Sequence, residues 1–332
     1  MKGPNPFALW EDDPAALAGR KHEIRSFASF ANAAASRQGS VLVVLGGPGA
    51  GKSTILRRLR QEAEKEGLEA PYVNAERGED ESAVSDKLYQ EMAPGARRRG
   101  KAPSTFEELS GKLGAGQGAV FFIDDIDNMK KADEAFRRIV DLLKAKRGKR
   151  SIAFVVSSMR QLKALEGPVE HMALKPLEEH EAREMIDKAL KKGPPKMGEE
   201  CFNSLLADTG GNPRLLKRIC HDIYGRLREN EKVISKGHYL AYLPQIMGSL
   251  SREWFGKMYQ ETPRAEREIL HAIAGEEDGA HVSDIAKRIG KALGPVTALT
   301  RRLLDSGQIV RIDRGKYKLF SRLYARYVVQ RS

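Results

Sequence analysis

The chain has 332 residues, a formal net charge of +12, and a composition 41% hydrophobic and 31% charged. That length accommodates two or three domains, and that balance describes a folded globular chain and excludes a disordered one. No apolar run approaches the ~20 residues needed to span a bilayer, which excludes a helical membrane protein as the expectation.

The first segment, Met1-Lys2-Gly3-Pro4-Asn5-Pro6-Phe7, lacks the apolar core of a signal peptide. Cys201 and Cys220 both fall in helix-like sequence and match no metal-ligand spacing. They read as buried thiols in a reducing compartment, and a cytoplasmic location is expected. Residues 1–39 hold turn signals and then a helix-like stretch from Lys21. The apolar run Val41-Leu42-Val43-Val44-Leu45 has the length of a strand. It leads through Gly46-Gly47-Pro48-Gly49-Ala50-Gly51-Lys52-Ser53 into the helix-forming stretch Thr54 to Leu59. This is G-x-x-x-x-G-K-[ST] in the strand–loop–helix setting that gives the pattern its meaning. Glycines let backbone N–H groups turn inward around a phosphate chain, and the following helix N-terminus adds partial positive charge. Gly46 to Thr54 is therefore the expected cradle of a nucleoside triphosphate. Lys52 would reach the β- and γ-phosphates, and the Ser53 hydroxyl would ligate Mg²⁺.

Ala70 to Asn74 reads as a short strand and residues 81–93 as a helix, which Pro94-Gly95 breaks. Arg97, Arg98, Arg99 and Lys101 follow as a basic loop, either solvated or touching DNA. Gly118 to Ile123 is a buried-strand run that ends in Asp124-Asp125-Ile126-Asp127. A carboxylate at that strand edge completes a P-loop ATPase site, with Asp124 and Ser53 holding the Mg²⁺ shell. In many such ATPases the next residue is a glutamate that orients the attacking water. Here it is Asp125, one methylene shorter, which predicts either a shifted water or slow hydrolysis.

A helix-like stretch, Ala132 to Lys146, leads to the strand Ile152 to Val156 and then Ser157-Ser158. Ser158 is the candidate for sensing the γ-phosphate, with Arg160 a nearby cation, although serines at strand ends also serve simply as turn residues. Strands alternating with helices from a P-loop imply an α/β fold with a parallel sheet covered on both faces. No Asn-Lys-x-Asp guanine-reading segment follows a later strand, so ATP or ADP is the expected nucleotide.

From Pro176 the pattern turns helical, over Glu179–Lys192, Glu199–Asp208 and Pro213–Arg228. The stop–start signal Gly210-Gly211-Asn212-Pro213 precedes Arg214, which could swing toward the phosphates from a helical lid. After a linking region rich in aromatics, helix-like stretches cover 264–275, Val282–Gly290 with Ser283 as N-cap, and Pro295–Asp305. Two short strands then flank Asp313-Arg314-Gly315. Residues 281–332 hold twelve Lys/Arg against three Asp, a net charge of +9, which suits a polyanion such as nucleic acid or forms a solvated face.

Taken together, these residues resemble an AAA+ ATPase of the Orc/Cdc-like, initiator-type group, which grades into the STAND signalling ATPases. The resemblance runs from Asn5-Pro6-Phe7 and Gly19-Arg20 to the C-terminus, and rests most on the P-loop and Asp124. It implies three domains: an AAA+ (ASCE-type) nucleotide-binding domain over 1–175, a helical lid with linking helices over 176–262, and a winged helix-turn-helix over 263–332. Gly211-Asn212-Pro213-Arg214 resembles the start of the family's sensor-2 helix. Two departures stand out: Asp125 replaces the glutamate, and no arginine lies between Leu162 and Leu177, where initiator-type enzymes carry an arginine finger. In a winged helix bound to double-stranded DNA, Thr297, Thr300 and Arg301 would face the major groove and Arg314 and Lys316 the backbone or minor groove. The implied activity is a slow ATPase switch controlling DNA binding. The alternative is a STAND-like regulator whose winged helix packs on protein, with a protein partner or homo-oligomer as its target.

Overall fold

The computed structural model describes residues 4–7, 17, 19–92, 101–114, 118–148, 151–163, 166–190 and 195–331. The expected basic loop at Arg97, Arg98 and Arg99 lies outside them. Contacts divide the chain into two compact units, Asp13–Gly46 with Gly51–Lys175, and Met1–Asp12 with Gly47–Ala50 and Pro176–Ser332.

The first unit begins with α1 (Lys21–Ala35), β1 (Val41–Leu45), α2 (Lys52–Lys65), β2 (Tyr72–Asn74) and α3 (Glu81–Met92). It continues with α4 (Phe106–Gly111), β3 (Ala119–Asp124), α5 (Ala132–Lys146), β4 (Ile152–Ser158) and β5 (Val169–Ala173). The five strands form one parallel sheet in the order β2-β3-β4-β1-β5. Parallel neighbours need crossover connections, which the helices supply on both faces. The strands β3 and β4 are buried along their whole length, and β1 along all but its last residue, which explains their continuous apolar runs.

Val41, Val43, Phe121, Ile123, Phe154 and Val156 join residues of α3, α4 and α5 in one core. The opposite face meets α1 and α2; Phe122, for example, lies 6.3 Å from Phe27 between ring centroids. Full burial of each such Val, Ile or Phe side chain contributes about 1.5–3 kcal/mol. Helix α2 buries Ile55, Leu56, Leu59 and Ala63, a stripe at helical spacing that fixes the helix against the sheet.

In the second unit come α6 (Glu179–Leu190), β6 (Lys196–Met197), α7 (Glu199–Thr209), α8 (Pro213–Arg226), β7 (Val233–Ile234) and α9 (Lys236–Leu250). A π-helical segment, Ser251–Phe255, carries α9 directly into α10 (Gly256–Glu261). Then follow α11 (Arg264–Ala274), β8 (Ala280–His281), α12 (Val282–Arg288), α13 (Leu293–Asp305), β9 (Ile309–Asp313), β10 (Lys316–Leu319) and α14 (Arg322–Val329). The strands β8, β10 and β9 make a small antiparallel sheet, and β6 pairs with β7 in parallel.

A single apolar core runs from α6 to α14. Polar bonds stitch the same elements together. The Tyr239 hydroxyl donates to Asp208 at 2.6 Å, and Arg326 reaches the other Asp208 oxygen at 3.2 Å, so α7, α9 and α14 share one buried carboxylate. Gln308 is held by Thr262 and by the Tyr324 hydroxyl, at 2.9 and 2.8 Å.

Two helix starts differ from the sequence reading. His281 occupies the N-cap of α12, leaving Ser283 inside the first turn. Helix α13 opens at Leu293, two residues before Pro295, a position in the first turn where a missing N–H breaks no intrahelical bond. Among the described residues no helix is long and apolar enough to cross a membrane.

Candidate nucleotide site

In the first unit the site is built on the C-terminal ends of β1, β3 and β4. The Gly46 N–H donates to the Ser158 carbonyl at 3.2 Å, tying the start of the glycine-rich loop to the end of β4. Gly51, at φ 92°, turns the chain into α2 in a conformation side chains other than glycine rarely adopt. The first intrahelical bond runs from Ile55 N–H to the Gly51 carbonyl, 3.0 Å. The N–H groups of Lys52, Ser53 and Thr54 precede that bond, and Gly51 has no side chain to cap them. An anion at that helix end would meet donors and the positive end of the dipole together. The Lys52 ammonium is nearly buried and donates to the Gly46 carbonyl at 3.1 Å.

Asp124 is fully buried at the end of β3. Its Oδ1 accepts a short hydrogen bond from the Ser157 hydroxyl on β4, and its Oδ2 accepts from the Tyr72 hydroxyl on β2 at 2.7 Å. Both neighbouring strands therefore hold the same carboxylate. The Ser157 oxygen also accepts from the Asp125 N–H, at 2.7 Å. Asp125 has a left-handed backbone, φ 52°. Burial and then the nearby charge of Asp124 push its carboxyl above the usual range, against the pull of Lys52 and a hydrogen bond from Asn74. The Tyr72 phenol is pushed strongly upward by burial first and by Asp124 second, so it remains a donor.

Ser158, the sequence candidate for phosphate sensing, is buried and donates to Asp127 at 3.0 Å. Arg160 lies 3.4 Å from Asp127 and 2.9 Å from Asp133. It is Ser157, not Ser158, that touches Asp124. Sequence reasoning did not single out Tyr72, Asn74 or Ser157 as site residues. Their one signal is a polar or amphipathic side chain near the C-terminal end of a strand beside β3.

Gly47–Ala50, the outer turn of the loop, groups with the second unit. There the Asn212 amide donates to the Pro48 carbonyl at 2.9 Å, and the Arg214 N–H to the Gly49 carbonyl at 3.3 Å. Gly49 has φ 74°, and a Cβ on it would lie 2.8 Å from the Arg214 Cβ. The Arg214 guanidinium lies over the Trp254 ring, 4.4 Å from its centroid.

In the C-terminal part of the second unit, Thr297, Arg301 and Arg314 are exposed and Lys316 is half-buried. Thr300 departs from expectation. It is buried, and its hydroxyl donates back to the Val296 carbonyl at 2.8 Å, because the phase of α13 turns it inward with Val296 and Leu303. It has no free edge to offer a DNA groove.

Ser53 and Asp124 supply one hydroxyl and one carboxylate, hard oxygen donors of the kind Mg²⁺ takes when phosphates and waters complete its shell. Among the described residues no group of three or more His, Cys, Asp or Glu could hold a metal by itself. The donor set therefore fits a magnesium ion arriving with a nucleotide.

Residues 35–165 match the model of a family described as an AAA domain, a stretch that includes the loop, Asp124, Ser157 and Ser158. A comparison with curated protein sequences finds no match. Among solved structures, the chain is similar to the Walker-type ATPase PABY2304 of Pyrococcus abyssi, with 15% identity, a TM-score of 0.72, and 98% of this chain and 99% of that chain covered. It is also similar to the Aeropyrum pernix Orc1 protein in complex with DNA, with 18% identity, a TM-score of 0.57, and 99% and 96% covered. A third similar structure is the RuvB Holliday junction branch migration motor of Thermotoga maritima, with 16% identity, a TM-score of 0.51, and 93% and 95% covered. These are likenesses of fold.

Proposed function

We propose that the chain is an ATP-dependent switch of the AAA+ type, binding and slowly hydrolysing ATP and coupling nucleotide state to DNA binding through a C-terminal winged helix. The observation that carries the first half is the loop itself: uncapped N–H groups at the head of α2, with Lys52 folded onto Gly46. The AAA-domain match over 35–165 supports the same reading. Lys52 would neutralise the β- and γ-phosphates, and Ser53 and Asp124 would hold Mg²⁺, which supplies charge neutralisation at the phosphates. Asp125 would orient the attacking water. Its short side chain, together with the missing arginine between Leu162 and Leu177, argues for slow turnover and a switch in place of a motor.

Lys52→Ala is expected to lose nucleotide binding or turnover, measured with a fluorescent ATP analogue and by phosphate release. Wild-type behaviour in that variant would remove the site assignment.

The DNA half is supported by the +9 charge of residues 281–332 and by exposed Thr297, Arg301 and Arg314, with Lys316 half-buried. The helix–helix–helix–hairpin order of α11, α12, α13 and β9–β10 fits a winged helix-turn-helix. The Aeropyrum pernix Orc1 structure of similar fold is a complex with DNA. Affinity for duplex DNA is expected to fall steeply with salt, and further in an Arg314→Ala, Lys316→Ala variant.

A second reading, a STAND-like regulator whose winged helix packs on protein, is favoured by one observation. Helix α14 is bound into the lid core through Arg326 and Asp208. Duplex DNA binding no better than that of a charge-matched control protein would select it.

A further inference from the structure

Asp124 is the only carboxylate proposed above for the magnesium shell, and both of its oxygens are already engaged. Ser157 reaches one from β4 and Tyr72 the other from β2. Each carboxylate oxygen has two lone-pair directions, so one hydroxyl on each leaves one on each for metal-bound water. The donors come from opposite sides and prevent rotation of the carboxylate. Tyr72 is well placed for this by register. It pairs with Phe122 and sits two positions before Asn74, which pairs with Asp124, so both side chains lie on one face of the sheet. Its ring is covered in turn by Arg57 of α2, 5.6 Å from the centroid, on the helix that opens with Lys52.

We infer that Tyr72 is a positioning residue for magnesium: its hydroxyl fixes the rotation of Asp124 so that the carboxylate meets the metal's water shell already oriented. The inference rests on the nucleotide reading above. Hydrogen-bond partners of this kind typically set metal affinity by roughly 10–100-fold. Tyr72 makes no contribution to phosphate binding by itself, so its effect should appear only when magnesium is present.

The test uses the full chain and Tyr72→Phe, which removes one oxygen and keeps the ring against Arg57. The affinity for N-methylanthraniloyl-ADP is measured by fluorescence in Mg²⁺ and in EDTA, with the thermal midpoint recorded without nucleotide. The expected result is an EDTA affinity within about twofold of wild type and a magnesium-dependent gain reduced about tenfold or more. Ser157→Ala should act in the same direction, because it frees the other oxygen. In an Asp124→Asn background, adding Tyr72→Phe should change nothing further.

A full magnesium gain in Tyr72→Phe would overturn the inference and leave the nucleotide site standing. So would an equal loss in Mg²⁺ and EDTA, which marks general damage to the site. Wild-type chain that fails to bind the nucleotide in either buffer would overturn both.

Discussion

Asp125 combines two features that oppose its own ionised form. It is partly buried, and it follows a carboxylate that is wholly buried. Because its native pKa is raised, the native state holds its proton more tightly than the unfolded state. Its contribution to stability therefore falls as pH rises from the ordinary aspartate value through the raised one, and the penalty persists above it. Asp125→Asn is expected to raise the thermal midpoint at neutral pH while lowering ATP hydrolysis by roughly 10²–10⁴-fold, the usual range for a lost general base. Wild-type hydrolysis should rise with pH through the raised pKa, and the variant's should not. The left-handed backbone at φ 52° adds a reason for aspartate here, since short Asp and Asn side chains tolerate that region best. Gly49→Ala is a harsher change. It combines positive φ with a Cβ 2.8 Å from Arg214, and a loss above about 1 kcal/mol is expected from urea unfolding. Lys52, Ser53 and Asp124 were legible as candidates because chain-local spacing defines the pattern they belong to. Tyr72 was not, because its relation to Asp124 exists only once the β2–β3 register is known, and Thr300 was misread because helix phase decides which threonine of α13 faces out.

The elements that could be read from sequence are those whose burial is continuous or cleanly periodic. The strands β1, β3 and β4, and helices α2, α5 and α8, are of this kind. Strand β5 carries no such signal. It lies at the sheet edge beyond β1, and Glu170, His171 and Ala173 face solvent, so no apolar run forms. In the stretch from α9 to α10 the residues themselves read only as an aromatic-rich linking region, and its helices are expected from the family resemblance alone. Pro244 and an apolar residue on almost every side of α9 hide its helical period, and the π-helical segment shifts the phase again. Helix α8 shows what a cap contributes. The Asn212 side chain accepts from Leu215 N–H at 3.1 Å and donates to the Pro48 carbonyl at 2.9 Å. Loss of the cap alone costs about 0.5–2 kcal/mol, and Asn212→Ala should exceed the middle of that range because a second bond goes with it. Equilibrium urea unfolding measures the difference.

At the level of the whole molecule, two apolar cores correspond to the two contact units. Within the second, Asp208, Tyr239 and Arg326 join α7, α9 and α14. Tyr239→Phe takes the hydroxyl donor from the buried Asp208 and leaves it the Arg326 bond, and a loss of about 1–3 kcal/mol is expected in the unfolding of that unit. Arg326→Gln removes the tie from α14 instead: if α14 belonged to an independently folded module, that variant would leave the stability of α7 to α9 unchanged, which hydrogen exchange can read helix by helix. The stacking of Arg214 on Trp254 has a practical consequence. The chain has two tryptophans, Trp10 and Trp254, and the second is 9% exposed among Phe255 and Phe320. In a Trp10→Phe background the indole emission would come from one place, directly beneath the arginine. A red shift on Arg214→Ala would calibrate the signal, and the same shift on adding ATP would time the arginine's departure, without any label, in a stopped-flow instrument.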